Sequence, residues 1–170
     1  MKNRVNYIPL MLISLFMLVA CKSTNTSVDK EKNWQTVKSL VSGGEFEVDN
    51  QLLYPLRGNQ INLIGNPNYI RFYKDSVDVY LPYFGVRQFG GGYNESGINY
   101  SGKPKDFSMV IHDDIREIEI SFEGNYKTEI LNFKLNIYPS KTVRTYVQSS
   151  HRDNISYQGR IKALDSLAKE

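Results

Sequence analysis

The sequence predicts an all-β domain, and three observations carry that expectation. Beyond position 44 the apolar residues recur with a period of two, the period of a strand. Turn signals recur about every 8–12 residues, across about eight to ten short segments. Long helical stretches do not interleave with those segments. That pattern excludes a parallel βαβ fold and leaves a closed antiparallel barrel or, as the alternative, a β-sandwich.

The chain opens with an address label. Lys2 and Arg4 form a charged head, and Ile8 to Ala20 is an apolar stretch of thirteen residues. That is shorter than the roughly 20 residues a spanning helix needs, and it suits a signal peptide over residues 1–20. Leu18-Val19-Ala20-Cys21 resembles the lipobox of bacterial lipoproteins. The expectation is cleavage before Cys21 and acylation of its thiol, with more than one chain for a firm anchor. Residues 21–32 read as a polar, flexible tether whose reach is roughly 17–20 Å. The folded domain is then expected over 33–170. Its expected address is the bacterial cell envelope, lipid-anchored in the outer membrane and facing the periplasm rather than the outer surface.

A short helix comes first, with Trp34, Val37, Leu40 and Val41 on one face and Gly43-Gly44 as its stop. Strand alternation follows over Glu45–Asn50 and over Gln60–Ile64, and Gly65-Asn66-Pro67 turns the chain. Tyr69–Tyr73 and Val77–Leu81 flank a hairpin loop at Lys74-Asp75-Ser76. Ser108–Ile111 leads into a turn at His112-Asp113-Asp114. Ile118, Ile120 and Phe122 then alternate with polar residues, and Gly124-Asn125 reads as a tight hairpin. Leu131, Phe133, Leu135 and Ile137 form the cleanest half-buried strand of the chain. Pro139-Ser140 turns into Thr142–Ser149, and Ile155–Gln158 closes the set. Ile161, Leu164, Leu167 and Ala168 sit at helical spacing, which predicts a short C-terminal helix.

Composition narrows the function. The 170 residues carry 21 basic and 18 acidic side chains. Lys2 and Arg4 lie in the leader and every acid lies after it, so the mature part has 19 against 18, a difference of +1. That balance argues against a nucleic-acid partner. A single cysteine rules out an internal disulfide and a cysteine-based zinc site. Residues 80–104 break the strand pattern, since Tyr80, Tyr83, Phe84, Phe89, Tyr93 and Tyr100 are interspersed with Pro82, Gly85, Gly90, Gly91 and Gly92. Such a segment can plug a barrel end or form a binding mouth. Tyr80, Tyr83, Phe84, Arg87, Phe89 and Tyr93 are the candidate binding residues.

Leu81-Pro82-Tyr83-Phe84-Gly85 together with Ile155-Ser156-Tyr157-Gln158-Gly159 resembles the domain of unknown function 4251 family, whose members are typically lipoproteins of Bacteroidota. Ser42-Gly43-Gly44-Glu45-Phe46 and Ser149-Ser150-His151-Arg152 fit the same pattern. The likeness covers about residues 34–168. It implies a lipocalin-like antiparallel barrel with flanking helices, and it implies no activity.

Most catalytic patterns are missing from the sequence, paired acids spread along the strands being left open. Gly90-Gly91-Gly92 and Ser101-Gly102-Lys103 lack phosphate-loop spacing, and Pro104 blocks the helix such a loop needs. No G-x-S-x-G surrounds a serine. His112 and His151 are 39 residues apart, each beside a charged turn. His112-Asp113-Asp114 reads as a solvated turn and not as a metal site. Tyr157 is expected to bond backbone through its hydroxyl. No cofactor or metal is expected. The leading reading is a non-catalytic, lipid-anchored binding module for a small apolar or amphipathic ligand. The alternative is an envelope protein-interaction module using the aromatic loop and an open strand edge, and a hydrolase is the third. Interior volume separates the first two, because a small barrel either fills with side chains or holds a ligand.

Overall fold

The structure is a computed structural model that describes residues 27–88 and 97–164. The leader, Cys21, Phe89, Tyr93 and residues 165–170 lie outside the described residues. Helix α1 spans Ser27–Ser42, with Asp29 in its first turn, where a carboxylate suits the helix dipole. It starts at Ser27 and not at Asn33, so the last part of the expected tether is helical. Trp34, Val37 and Val41 are fully buried on one face. The helix ends as expected, with Gly43 N–H donating to the Ser39 carbonyl at 3.1 Å.

The strands are β1 (Glu45–Pro55), β2 (Ile61–Asn62), β3 (Tyr69–Tyr73), β4 (Ser76–Pro82) and β5 (Gly97–Gly102). They continue as β6 (Lys105–His112), β7 (Glu117–Tyr126), β8 (Glu129–Ile137), β9 (Thr142–Ser149) and β10 (Ile155–Ala163). All lie in one antiparallel sheet of order β5-β4-β3-β1-β10-β9-β8-β7-β6, with β2 paired to β1 alone. One sheet, curled on itself into a half-barrel, replaces the sandwich alternative. The curl is visible in the rings. Phe72 on β3 meets Phe122 on β7 edge-on at 5.9 Å, although four strands separate β3 from β7 in the sheet. Phe46 stacks on Phe72 at 4.4 Å, and Phe122 stacks on Phe133 at 4.6 Å. The core is therefore spanned by direct contact between facing walls.

Three local expectations are corrected. The β7–β8 hairpin turns at Lys127-Thr128 and not at Gly124-Asn125, since β7 stays paired through Tyr126. Gly124 serves packing instead: a methyl there would meet the Tyr100 ring at 2.8 Å. The C-terminal helix does not begin at Ile161, which is buried in β10 opposite Val48. Ile155, Tyr157, Gly159 and Ile161 keep a period of two, and β1 supplies the hydrogen-bonding partner that holds them extended. Gly159 lies where β1 bulges between Asn50 and Leu52, so that a side chain there would strike the Asp49 and Asn50 backbone. Lastly, residues 80–104 are not wholly irregular. β4 runs to Pro82 and β5 begins at Gly97, pairing Pro82 with Gly97. The chain from Gly97 to His112 then exchanges β4 for β7 as its partner at Gly102–Lys105.

Helix α1 closes one end of the half-barrel, the base. Its Trp34 indole N–H donates to Asp113 Oδ1 at 3.0 Å in the β6–β7 turn, and Lys38 Nζ lies 2.8 Å from the same carboxylate. These two donors, Lys38 foremost, hold the Asp113 carboxyl below its ordinary pKa. The opposite end, the rim, collects the turns that carry the candidate residues.

Candidate functional site at the rim

Alternation along β8 places Leu131, Phe133, Leu135 and Ile137 inward, and the same parity places Glu129 inward at the strand's start. A carboxylate there needs a cation, because burying an unpaired charge is prohibitive. Arg152 supplies it from the loop between β9 and β10. Its Nε donates to Glu129 Oε1 at 2.5 Å and its Nη2 to Oε2 at 2.6 Å, a bidentate pair with both residues buried. Ser149 Oγ donates to Glu129 Oε1, and Arg87 Nη2 stands 3.6 Å from Oε2. Burial alone would raise the Glu129 pKa. The bonds from Arg152 and Ser149 and the nearby guanidinium charges outweigh it and hold the carboxyl below its ordinary value.

The same guanidinium ties three loops together. Arg152 Nη1 donates to the Gly97 carbonyl at 2.9 Å, and its carbon lies 5.0 Å from the Tyr83 ring centre. The Tyr83 hydroxyl lies 2.9 Å from the Val86 carbonyl and 3.2 Å from that of Asp153. Burial first, and then the Asp153 charge, raises its pKa. Tyr157 donates to the Pro82 carbonyl at 2.7 Å, the backbone bond expected of it. Burial raises its pKa as well. Gln88 N–H to His151 O at 2.7 Å and Asp153 N–H to Val86 O at 3.0 Å stitch the two rim loops. Three of the four segments that carry the family resemblance, 81–85, 149–152 and 155–159, thus meet in space, while the fourth, 42–46, lies at the base.

The candidate residues divide within that cluster. Tyr83 is pinned against the core, while Phe84 next to it is 50% exposed and Val86 is 57% exposed. Arg87 turns inward to Glu129. Tyr80 lies apart on the outer side of β4, its ring 5.9 Å from that of Tyr69. His112 ends β6 opposite Glu117, whereas His151 sits in the rim loop with Nδ1 2.6 Å from Ser150 Oγ. Sequence reasoning missed Glu129 as a site residue and named Arg152 only within a motif. The β8 alternation, extended back by one step to an acid, was the available signal for Glu129.

Three hollows among the described residues open on the outside of the sheet. A groove of about 480 Å³ runs over Ser121, Glu123, Asn132, Lys134 and Gln148, all on the outer parity of their strands, and Tyr146 lines it. Tyr146 also borders two smaller hollows of about 290 and 250 Å³ toward Tyr54 and Ser156. Among the described residues no group of three or more His, Cys, Asp or Glu could hold a metal ion.

A family model for the domain of unknown function DUF4251 matches residues 28–161. A crystal structure of a DUF4251 family protein from Bacteroides eggerthii shares the fold, with a TM-score of 0.60 at 11% identity. That match covers 77% of this chain and 87% of the other. No curated protein matches the sequence. The chain belongs to the DUF4251 family.

Proposed function

We propose that this DUF4251 protein is a lipid-anchored, non-catalytic module of the bacterial envelope that engages a protein partner through its rim. The observation that carries the reading is the contrast between a core spanned by rings and a rim that presents Phe84 and Val86. Phe72 and Phe122 touch from facing walls, which leaves that level of the interior no room for the small apolar ligand of the leading sequence reading. Phe84 and Val86 project from a loop whose backbone is fixed by Tyr83 and Asp153. Pre-ordered apolar side chains bind with less entropic loss than mobile ones. The absence of catalysis is supported by how the rim's polar atoms are used. Glu129, Arg152 and Tyr157 all make structural bonds, and all three are buried. The anchor rests on Leu18-Val19-Ala20-Cys21, and Cys21→Ser is expected to leave an uncleaved or soluble precursor.

The test is a photo-crosslinking side chain placed at Phe84 in the acylated protein, with Asn132 on the outer face as control. One discrete protein adduct from position 84, absent from 132, is the expected result. A small molecule retained in stoichiometric amount by the gently purified chain in native mass spectrometry, with no adduct at 84, would return the function to ligand carriage.

A further inference from the structure

β6 differs from the other strands of the sheet in burial. Every position from Lys105 to Val110 is exposed, including Phe107, Met109 and Val110 at 40–47%. Its neighbours show why this is unusual. β7 buries Ile118, Ile120 and Phe122, and β5, the other end strand of the sheet, buries Ile98 and Tyr100. Among the described residues β6 pairs with β7 on one side only, because β5 remains with β4. Its eight residues span about 27 Å at about 3.4 Å per residue, and the regular part of the edge begins after Asp106. Proteins usually blunt such an edge with charges, proline or a bulge. Here the guard stands at one end. Pro104, Lys105 and Asp106, with φ of 48° at Asp106 and a register shift before Ser108, disrupt the start of the strand. From Phe107 to Ile111 nothing charged interrupts the edge.

We propose that β6 pairs with β6 of a second copy of this chain, antiparallel and centred on Met109. The charge pattern selects both the partner and the direction. Lys103 and Lys105 mark one end of the strand, and Asp114 marks the other, beside Asp113, whose carboxylate is already held by Lys38. A parallel copy would set like charges together, whereas an antiparallel copy sets the basic end against the acidic end. Centring on Met109 brings Lys105, beyond the irregularity at Asp106, toward the acidic end of the second copy. It also places Phe107 opposite Ile111 and Ser108 opposite Val110. Such pairing is isologous, with the same strand used by both copies, so that it closes as a two-fold dimer and does not propagate. Directly opposed apolar residues on paired strands stabilise the contact. This surface is separate from the rim, and its failure would leave the rim reading untouched.

Disulfide trapping in native membranes tests the register. With Cys21 acylated, Met109→Cys introduces the one free thiol, and on the two-fold axis it meets its own copy. Oxidation should give a chain dimer that Asn132→Cys, exposed on the outer face of β8, does not give. Copies carrying Phe107→Cys and Ile111→Cys should cross-link with each other when co-expressed, and each less with itself. Adding Val110→Lys to Met109→Cys should abolish the dimer while leaving the melting midpoint near that of Met109→Cys. Should Met109→Cys fail to accumulate, co-expressed Ser108→Cys and Val110→Cys read the same register from the other side of the strand. No dimer above the Asn132→Cys control would overturn the proposal. So would an adduct with a different protein, since the edge would then serve another partner.

Discussion

At the base, helix α1 lays Trp34, Val37 and Val41 over the mouth of the half-barrel, and its polar ties to Asp113 and Arg116 sit at the surface. At the rim no helix is present among the described residues, and Arg152 and Glu129 meet inside instead, both almost fully buried. The first closure draws its stability from apolar area, which is non-directional and tolerates small shifts. The second gains little net stability, since desolvating two charges offsets most of their attraction. What it gains is geometry. A planar guanidinium bonded to Glu129 and the Gly97 carbonyl, beside the Tyr83 ring, fixes three loops at once. That is the end where exposed Phe84 and Val86 need a fixed backbone.

The largest expected effects test whether each closure depends on its own chemistry. Trp34→Ala should cost about 3–5 kcal/mol in urea denaturation, by loss of burial and by the cavity left behind. Glu129→Ala should cost a similar amount, about 3–5 kcal/mol, because Arg152 would be left buried and unpaired. The two ends differ in the remedy. Replacing the pair together, Glu129→Leu with Arg152→Met, should cost less than Glu129→Ala alone. If the double variant is as unstable as the single one, the latch stabilises by attraction and the contrast between the ends collapses.

Acid sharpens the same comparison. The folded pKa of Glu129 is depressed, so its contribution is complete above the unfolded value of about 4.3 and is lost as pH falls through the folded value. Hydrogen exchange on acidification should therefore quicken first at rim amides such as Gln88 and Asp153, while the amides around Trp34 stay protected. Simultaneous loss at both ends would mean that one cooperative unit carries both.

The smallest effects separate neighbouring rings. Tyr83→Phe removes the hydroxyl shared by the Val86 and Asp153 carbonyls and should cost about 1 kcal/mol. Phe84→Ala should change stability by no more than about 0.5 kcal/mol, as surface substitutions do, yet should lower partner capture. Equal stability losses without a change in capture would make the segment only a cover for the core.

The sequence by itself determined the strand content, the positions of most turns and the inward set on β7, β8 and β9. These follow from periodicity, a property of neighbouring residues. It also marked Tyr83 and Phe84, through the density of rings beside Pro82 and Gly85, and it assigned the Tyr157 hydroxyl to backbone. Where a local pattern was ambiguous the tertiary structure decided. Ile161 suits a helix or a strand equally, and pairing with Val48 settles it as strand. Gly124 looks like a turn residue until the Tyr100 ring, 24 positions away, occupies the space above it. The partner of Glu129 was beyond reach for the same reason. Arg152 is 23 residues away, and only the pairing of β8 with β9 brings the end of one strand beside the start of the other. The open edge of β6 depends on the whole sheet, because a strand is an edge only when every other strand has found its neighbours.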